Sequence, residues 1–508
     1  MNLSTKSRYA LRALSNLLQQ DSCLSIKTIS QREKISSDYL EKIFSKLKKS
    51  NLLKVTRGAN GGYSLARPAN QITLKEIVDI LEKKQFSCPS SCFCRSKTVW
   101  QQIYSNFNHY LQAITLDDLK ASSKKVIYLD HAASTPVDPQ VISTMIHTLQ
   151  PAYSASTSSI HQYGRQAFQL LEDSRQKMAK ILNVSPKEII FTSSATESNN
   201  TILKGVAFAN QHKGKHIIIS SIEHDCIRQS AHWLKSQGFE ITGIPVDKEG
   251  FINLDALKKS IRPDTILVSI IHANNEIGTI QDLQKISQIC QQKKVYFHTD
   301  ASQSFTKIPI NLKKTPVDFL TASSHKIYGP KGAALLYIKS GSKIIPLLHG
   351  GGQESNFRSS TVNLPAIVAF TKAAQIAIAN MKEENKKITQ FRDYLIKEIL
   401  TKIPKTHLNG PKNNRLANNI NISFDNIEGE SLLLDLDFNG IIASTGSACA
   451  SNSLEASHVL LAIGKDHQQA HSSLRFSLGC QTTQTDLDYL LKILPQSVKK
   501  LRKLSPFK

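Results

Sequence analysis

The sequence predicts an α/β protein with a mostly parallel sheet, preceded by a small winged helix-turn-helix module. Two observations carry this: from Val126 onward, apolar β-rich runs alternate with amphipathic helices, whereas the first eighty residues hold short amphipathic helices around a Gly-rich hairpin. A third is charge. The 508 residues carry a formal net charge of +24, and residues 1–125, with 21 Lys+Arg against 9 Asp+Glu, supply half of it. A dense basic face suits nucleic acid, although a solvated Lys/Arg surface has the same composition.

Length alone implies about three structural units. Eight scattered cysteines do not form the framework of a small secreted protein, and runs such as "TILVSII" are too short to span a bilayer, so a cytoplasmic chain with reduced thiols and no membrane association is expected. "MNLSTKSRYALRALSNLLQQ" has the basic amphipathic character of a transit peptide but leads without a cleavage-like break into more helical sequence, so no targeting segment is assigned.

In the N-terminal part, "SRYALRALSNLL", "SIKTISQREK", "SSDYLEKIFSKLKKSNLL" and "TLKEIVDILEKK" read as helices, and "KVTRGANGGYSLARP" as a hairpin with Arg57 and Asn60 near its tip. "SSDYLEKIFSKL", capped by Ser36 or Ser37, would be the recognition helix and the hairpin the wing. Small helical modules also bind proteins with this pattern. A further helix, "KTVWQQIYSNFNHYLQAITLDDL", places Trp100, Ile103, Tyr104, Phe107 and Leu111 on one stripe, which suits dimerisation. The domain reading is 1–82 winged helix-turn-helix, 83–120 cysteine-containing loop and dimerisation helix, 121–125 polar linker, and 126–508 α/β domain.

In open α/β sheets ligands sit beyond the carboxyl ends of the strands. "EIIFT" is followed by "SSATESNN", "HIIIS" by "SIEHD", "ILVSIIH" by "ANNEIG", "VYFHT" by Asp300 and "ASQS", and "DFLTA" by "SSHKIYGPKG". Lys326 precedes a "YGPKG" turn that would fix its amine at the sheet edge. With Asp300, His224 and Thr196 at neighbouring strand ends, the set supplies a Schiff-base lysine, an anion for a pyridinium nitrogen, a ring-stacking imidazole and a phosphate cup, which are the parts pyridoxal phosphate needs. Singly, Asp300 could be an N-cap and His224 a structural histidine. Cys449 lies in "ASTGSACASNSLEAS", a small-residue segment suited to a swinging nucleophile rather than a buried thiol. Arg475 in "SSLRFSLG" could clamp a carboxylate, or serve a structural ion pair.

Residues 126 to about 505 closely resemble the IscS/NifS cysteine desulfurases through "IYLDHAASTPVDP", "EIIFTSSATESNN", "ILVSIIHANNEIG", "SSHKIYGPKG", "HGGGQESNFRSST" and "TGSACASNSLEASHVL". The resemblance implies a fold-type I homodimer with a large parallel-rich domain and a small α+β domain. It makes Lys326 the cofactor-bearing lysine, pairs Asp300 with the pyridine nitrogen, stacks His224 on the ring for acid/base work and sets Gln303 on the phenolic oxygen. The phosphate would meet Ala195 through its backbone, Thr196, Ser323, Ser324 and His325, with Thr361 of the partner subunit reaching over. Asn275, itself beside the cofactor, and Arg475 would hold the substrate carboxylate. Cys449 would take sulfur from L-cysteine as a persulfide, releasing alanine, and could transiently ligate a nascent cluster. The sulfur acceptor would be an iron–sulfur scaffold, although the sequence ends at "LRKLSPFK" where bacterial desulfurases of this type continue into a docking tail.

Residues 1 to about 120 similarly resemble IscR-type winged-helix regulators through "STKSRYALRAL", "SSDYLEKIFSKLKKSNLLKVTRGANGGYSLARP" and three cysteines. This resemblance gives DNA contacts to Asp38, Glu41 and Arg57 and a two-iron two-sulfur cluster to Cys88, Cys92 and Cys94. The C-x3-C-x-C spacing is tighter than in cluster-sensing members, and Lys97 stands where those have a histidine. Structural zinc would want a fourth ligand, which leaves an iron–sulfur cluster or no metal. The expected protein is thus a desulfurase fused to a cluster-responsive regulator. The alternatives are another fold-type I lyase or aminotransferase, and a transcription factor with a vestigial enzyme half.

Overall fold

In the computed structural model, residues 4–18, 23–56, 58, 61–82, 108, 111–112, 114–118, 126–149, 154–156, 158, 160–445 and 456–504 are described. Contacts divide the chain into Met1–Val126 and Ile127–Lys508.

The N-terminal unit contains helices Thr5–Leu17, Ile26–Glu33, Ser37–Lys49 and Leu74–Leu81 and the antiparallel strands β1 (Leu53–Thr56) and β2 (Gly62–Leu65). Apolar residues at helical spacing form its core: Leu40, Ile43, Phe44 and Leu47 are buried beside Leu14, Ile29 and Ile77. Glu82 ties helix Leu74–Leu81 to helix Thr5–Leu17 by accepting from Ser4 N at 3.0 Å and Ser7 Oγ at 2.6 Å. Two expectations need correction. Ser36 is the N-cap of Ser37–Lys49 but its hydroxyl makes no capping bond. The helix expected to reach residue 119 has ended before Ile114, because Ile114 O accepts from Leu74 N and Leu116 N donates to Ile72 O, so tertiary pairing replaces helical bonds there. Arg57, Asn60, Trp100, Ile103, Tyr104, Phe107 and Cys88, Cys92 and Cys94 lie outside the described residues.

The C-terminal unit opens with β3 (Ile127–Tyr128) and builds a seven-stranded sheet from β4 (Ile189–Thr192), β5 (His216–Ser220), β6 (Glu240–Ile244), β7 (Thr265–Ser269), β8 (Tyr296–Asp300), β9 (Phe319–Ser323) and β10 (Ala334–Ile338). The order is β4-β10-β9-β8-β7-β5-β6, parallel except for β10, which runs against both neighbours. Strands buried on both faces read as unbroken apolar runs. Alternate residues therefore feed different cores: Phe191, Ile218, Val268, Leu320 and Leu335 on one face, Ile190, Ile217, Leu267, Phe319 and Leu336 on the other.

A smaller α+β lobe holds the antiparallel sheet of β11 (Thr406–Leu408), β12 (Asn419–Phe424) and β14 (Ser473–Ser477), while β13 (Ile441–Ile442) pairs with β3. Helix Leu364–Lys402 serves both lobes. Its Leu364, Ile367 and Phe370 pack in the large core, and its Ile388, Leu395 and Ile399 in the small one. Among the described residues it is the one helix with the length and apolarity to span a membrane, but those packed side chains make it a core helix.

The outer edge of β4 is closed by a buried ion pair. Glu354 accepts from Phe191 N at 2.7 Å and from Arg175 Nη2 at 2.7 Å, while Arg175 Nη1 donates to Ile189 O and to Glu354 at 2.9 Å. The pair satisfies main-chain groups that an open edge would leave for another strand. Removing one partner strands a buried charge, so Glu354→Ala is expected to lower stability by ~3 kcal/mol. The urea midpoint of the C-terminal unit, followed by circular dichroism, checks this; an unchanged midpoint would contradict the edge-closing role.

Candidate active site

Five parallel strands deliver their carboxyl ends to one rim, and the polar residues follow them there. Lys326 lies in the turn Ser324–Lys326 directly after β9, and its Nζ donates to Ala132 O at 2.6 Å and Ala133 O at 2.8 Å. The next residues are constrained. Tyr328 sits at φ 64, and a side chain on Gly329 would meet Ser324 Oγ. Asp300 is the last residue of β8 rather than the residue after it, and is buried. Its Oδ2 accepts from Asn199 Nδ2 at 2.7 Å and its Oδ1 from Ser302 N at 2.9 Å, so it caps a turn but no helix.

His224 caps helix Asp225–Ser236 beyond β5, with Nδ1 accepting from Cys226 N at 3.2 Å. That bond leaves the proton of a neutral ring on Nε2. Gln303 Nε2 donates to Ala132 O at 2.8 Å, one of the carbonyls that holds Lys326. Ala195 and Thr196 begin the helix Ala195–Asn210 beyond β4, where free backbone N–H groups favour an anion. Arg475 comes from the small lobe. Only 2 % exposed, it pairs with Asp130 Oδ1 at 2.7 Å and donates to Asn275 O at 3.1 Å, while its Nε has no partner.

These groups meet around one cavity of about 260 Å³, lined by Ala195, Thr196, His224, Asn275, Asp300, Gln303, His325, Lys326 and Arg475 among others. Ser323 and Ser324 are buried beneath it and do not line it; Thr361 is exposed elsewhere, and Cys449 lies outside the described residues. On the N-terminal unit, Asp38 and Glu41 are exposed on helix Ser37–Lys49 beside Lys42 and Lys46.

Burial sets the protonation of several neighbours. It pushes the His325 ring down to about 4, aided by the charges of Lys326, Lys331 and Lys307, so this ring is neutral. It pushes the Glu276 carboxyl up to about 7, against a 2.5 Å bond from Ser457 Oγ, and that of Glu223 up to about 8. The sequence did not point to Asn199, Cys226, Glu276 or Asp130. For Asn199 a signal existed, since it lies four residues after Ala195 on the same helix face. Asp130 could not be paired with Arg475 from sequence, because 345 positions separate them.

The donor set fits pyridoxal phosphate. A lysine amine at the cavity wall, a buried carboxylate held by an amide, a helix N-terminus and an arginine with an unpaired buried N–H match the amine, anion, phosphate and carboxylate partners that it and an amino-acid substrate require.

Comparison with known proteins agrees. Residues 127–490 match the aminotransferase class-V family, and residues 3–122 match Rrf2, described as iron-dependent transcriptional regulator. The chain is 50% identical over 385 residues to a cysteine desulfurase IscS of Dictyoglomus turgidum, covering 76% of this chain and 98% of that one. A cysteine desulfurase IscS of Methanosarcina thermophila is 49% identical over 386 residues, with 76% and 95% covered. A solved NifS-like protein superposes with a TM-score of 0.70 at 38% identity, covering 74% of this chain and all of that one. The chain therefore belongs to the class-V aminotransferase family as a pyridoxal-phosphate-dependent cysteine desulfurase, and its N-terminal part is an Rrf2-type regulator domain.

Proposed function

We propose that Lys326 carries the pyridoxal phosphate, with Asp300 at the pyridine nitrogen, His224 on the ring and Gln303 on the phenolic oxygen. Ala195, Thr196 and His325, which line the cavity, hold the phosphate together with Thr361 of the partner subunit, and Asn275 and Arg475 receive the carboxylate of L-cysteine. The observation that carries this reading is the convergence of Lys326, Asp300 and Arg475 on a single cavity. Bound there, the cofactor supplies an electron sink that labilises bonds at the substrate carbons.

The protein's own groups do the rest. Asn199 orients Asp300, and His224 offers its Nε2 for proton transfer. The Cys449 thiolate forms an S–S bond to the substrate sulfur as the C–S bond breaks, and a proton delivered to carbon completes the product. L-cysteine and one protein thiol thus become L-alanine and one protein persulfide, with no outside oxidant.

A homodimer is supported by helix Pro139–Leu149, which exposes Ile142, Ile146 and Leu149 at helical spacing. We assign the chain to the cytoplasm and its persulfide sulfur to an iron–sulfur scaffold. Asp38, Glu41 and Arg57 would contact DNA, and Cys88, Cys92 and Cys94 would hold a two-iron two-sulfur cluster reporting sulfur and iron supply.

Lys326→Ala is expected to lose the visible absorbance of bound cofactor and all desulfurase turnover; residual full turnover would sink the assignment. Cys449→Ser should bind cofactor and L-cysteine yet form no protein persulfide by mass spectrometry, and a persulfide on Cys226, Cys290 or Cys480 in the wild type would contradict it. For DNA, each of Lys42→Ala and Lys46→Ala should reduce the slope of log affinity against log salt by about 1. A slope indifferent to both would remove this helix from the interface.

A further inference from the structure

Gln303 lies between Lys326 and a second lysine, and both ends of its amide are engaged. Its Nε2 donates to Ala132 O at 2.8 Å, the carbonyl that also accepts from Lys326 Nζ at 2.6 Å. Its Oε1 accepts from Lys307 Nζ at 3.5 Å. An amide has distinguishable ends, and an ammonium can only donate. The carbonyl end thus faces Lys307, which does not line the cavity, and the N–H end faces Ala132, which does.

Lys307 lines a second, small cavity of about 30 Å³ behind the site, with Thr306, Tyr328, Glu384 and Asn385. That is room for one water. Thr306 Oγ1 is buried there without a partner, and the Thr306 backbone sits at φ 60, a region that β-branched residues avoid. Strain kept immediately before a half-buried lysine is the kind of cost found at functional positions.

The groups around this amine define its electrostatics. Lys326 opposes its charge and Glu384 favours it, while Tyr328 and Glu384 are themselves pushed up by burial. The His131 and His325 rings are pushed down, chiefly by burial, with Lys307 contributing. Burial brings the Lys307 amine itself down to about 7, so its charge is sensitive to small changes near neutrality.

We propose that Lys307 is a positioning residue for the desulfurase reaction, orienting Gln303 as an N–H donor toward the cofactor and placing a positive charge that disfavours the protonated Lys326 nitrogen. This rests on the reading of Lys326 and Gln303 as cofactor contacts. The sign follows from like-charge repulsion. Lys307 lowers the pH at which the cofactor-bound nitrogen releases its proton, so removing the charge raises it.

The test uses the full-length protein loaded with pyridoxal phosphate and reads the pH midpoint of its visible absorbance. Lys307→Met should move the midpoint up by about one pH unit. Lys307→Gln, which keeps a donor for Gln303 without the charge, should move it up by less, and Lys307→Arg, charged throughout the titration, should bring it to or below the wild-type value. Midpoints of Lys307→Met and Lys307→Gln at or below wild type overturn the proposal, as does a loss of cofactor occupancy with no midpoint shift, which is what a merely structural role would give. Should Lys307→Met fail to fold, Lys307→Gln decides the same comparison. A wild-type chromophore that survives Lys326→Ala would instead refute the underlying site reading.

Discussion

Burial of both faces of the seven-stranded sheet is the constraint from which the rest of the enzyme unit follows. With helices covering either side, interior strands are buried on both faces, so the middles of β5 and β7 are apolar, the few polar side chains kept inside, such as His298 and Thr321, are buried, and the ionisable groups of the site are displaced to the carboxyl ends. Because the strands carrying Lys326, Asp300, Asn275 and His224 are spatial neighbours in the order β9-β8-β7-β5, that displacement gathers four different chemistries on one rim. β10, which carries none of these residues, is also the one strand that runs the other way.

Two of the gathered groups, Asp300 and Arg475, are buried. Arg475 is nearly inaccessible and shares Asp130 as its counter-charge, yet keeps one N–H unpaired. A buried donor without an acceptor is costly, so the site is built to accept an anion rather than to be complete without one. Glu276 and Glu223, pushed up by burial, and the neutral His325 reduce the number of ionised groups near Lys326 and Lys307. Lys326 and Arg475 are the lysine and arginine of the cavity wall, and Asp225, Glu276 and Asp300 its acidic residues.

Helix Leu364–Lys402 joins this rim to the small lobe, since its two halves pack in different cores. The lobe contributes Arg475, so substrate recognition depends on an element whose own packing is remote from the cofactor cup. The regulator unit has a separate core of its own, formed by Leu14, Ile29, Leu40 and Phe44. Its lysines cannot be buried without partners, so helix Ser37–Lys49 turns Lys42, Lys46 and Lys49 outward as a basic face.

Local pattern was enough for much of this. Apolar period two against period 3.6 separated strands from helices, and the residues after each apolar run named Lys326, Asp300, His224 and Thr196, because strand ends are set by where burial stops. Resemblance added Asn275, Gln303 and the rest of the phosphate set. Contacts between distant segments were not legible. The ends of the dimerisation-helix pattern gave way to pairing of Ile114 and Leu116 with Leu74 and Ile72, the edge of β4 is closed by Arg175 and Glu354, 179 positions apart, and Gln303 is oriented by Lys307. By itself the sequence determined which residues stand at the rim, since alternation and turn chemistry act over a few neighbours. Only the tertiary structure decided which of them are buried, paired or left with a free donor, because desolvation and ion pairing depend on groups that the chain brings together from far apart.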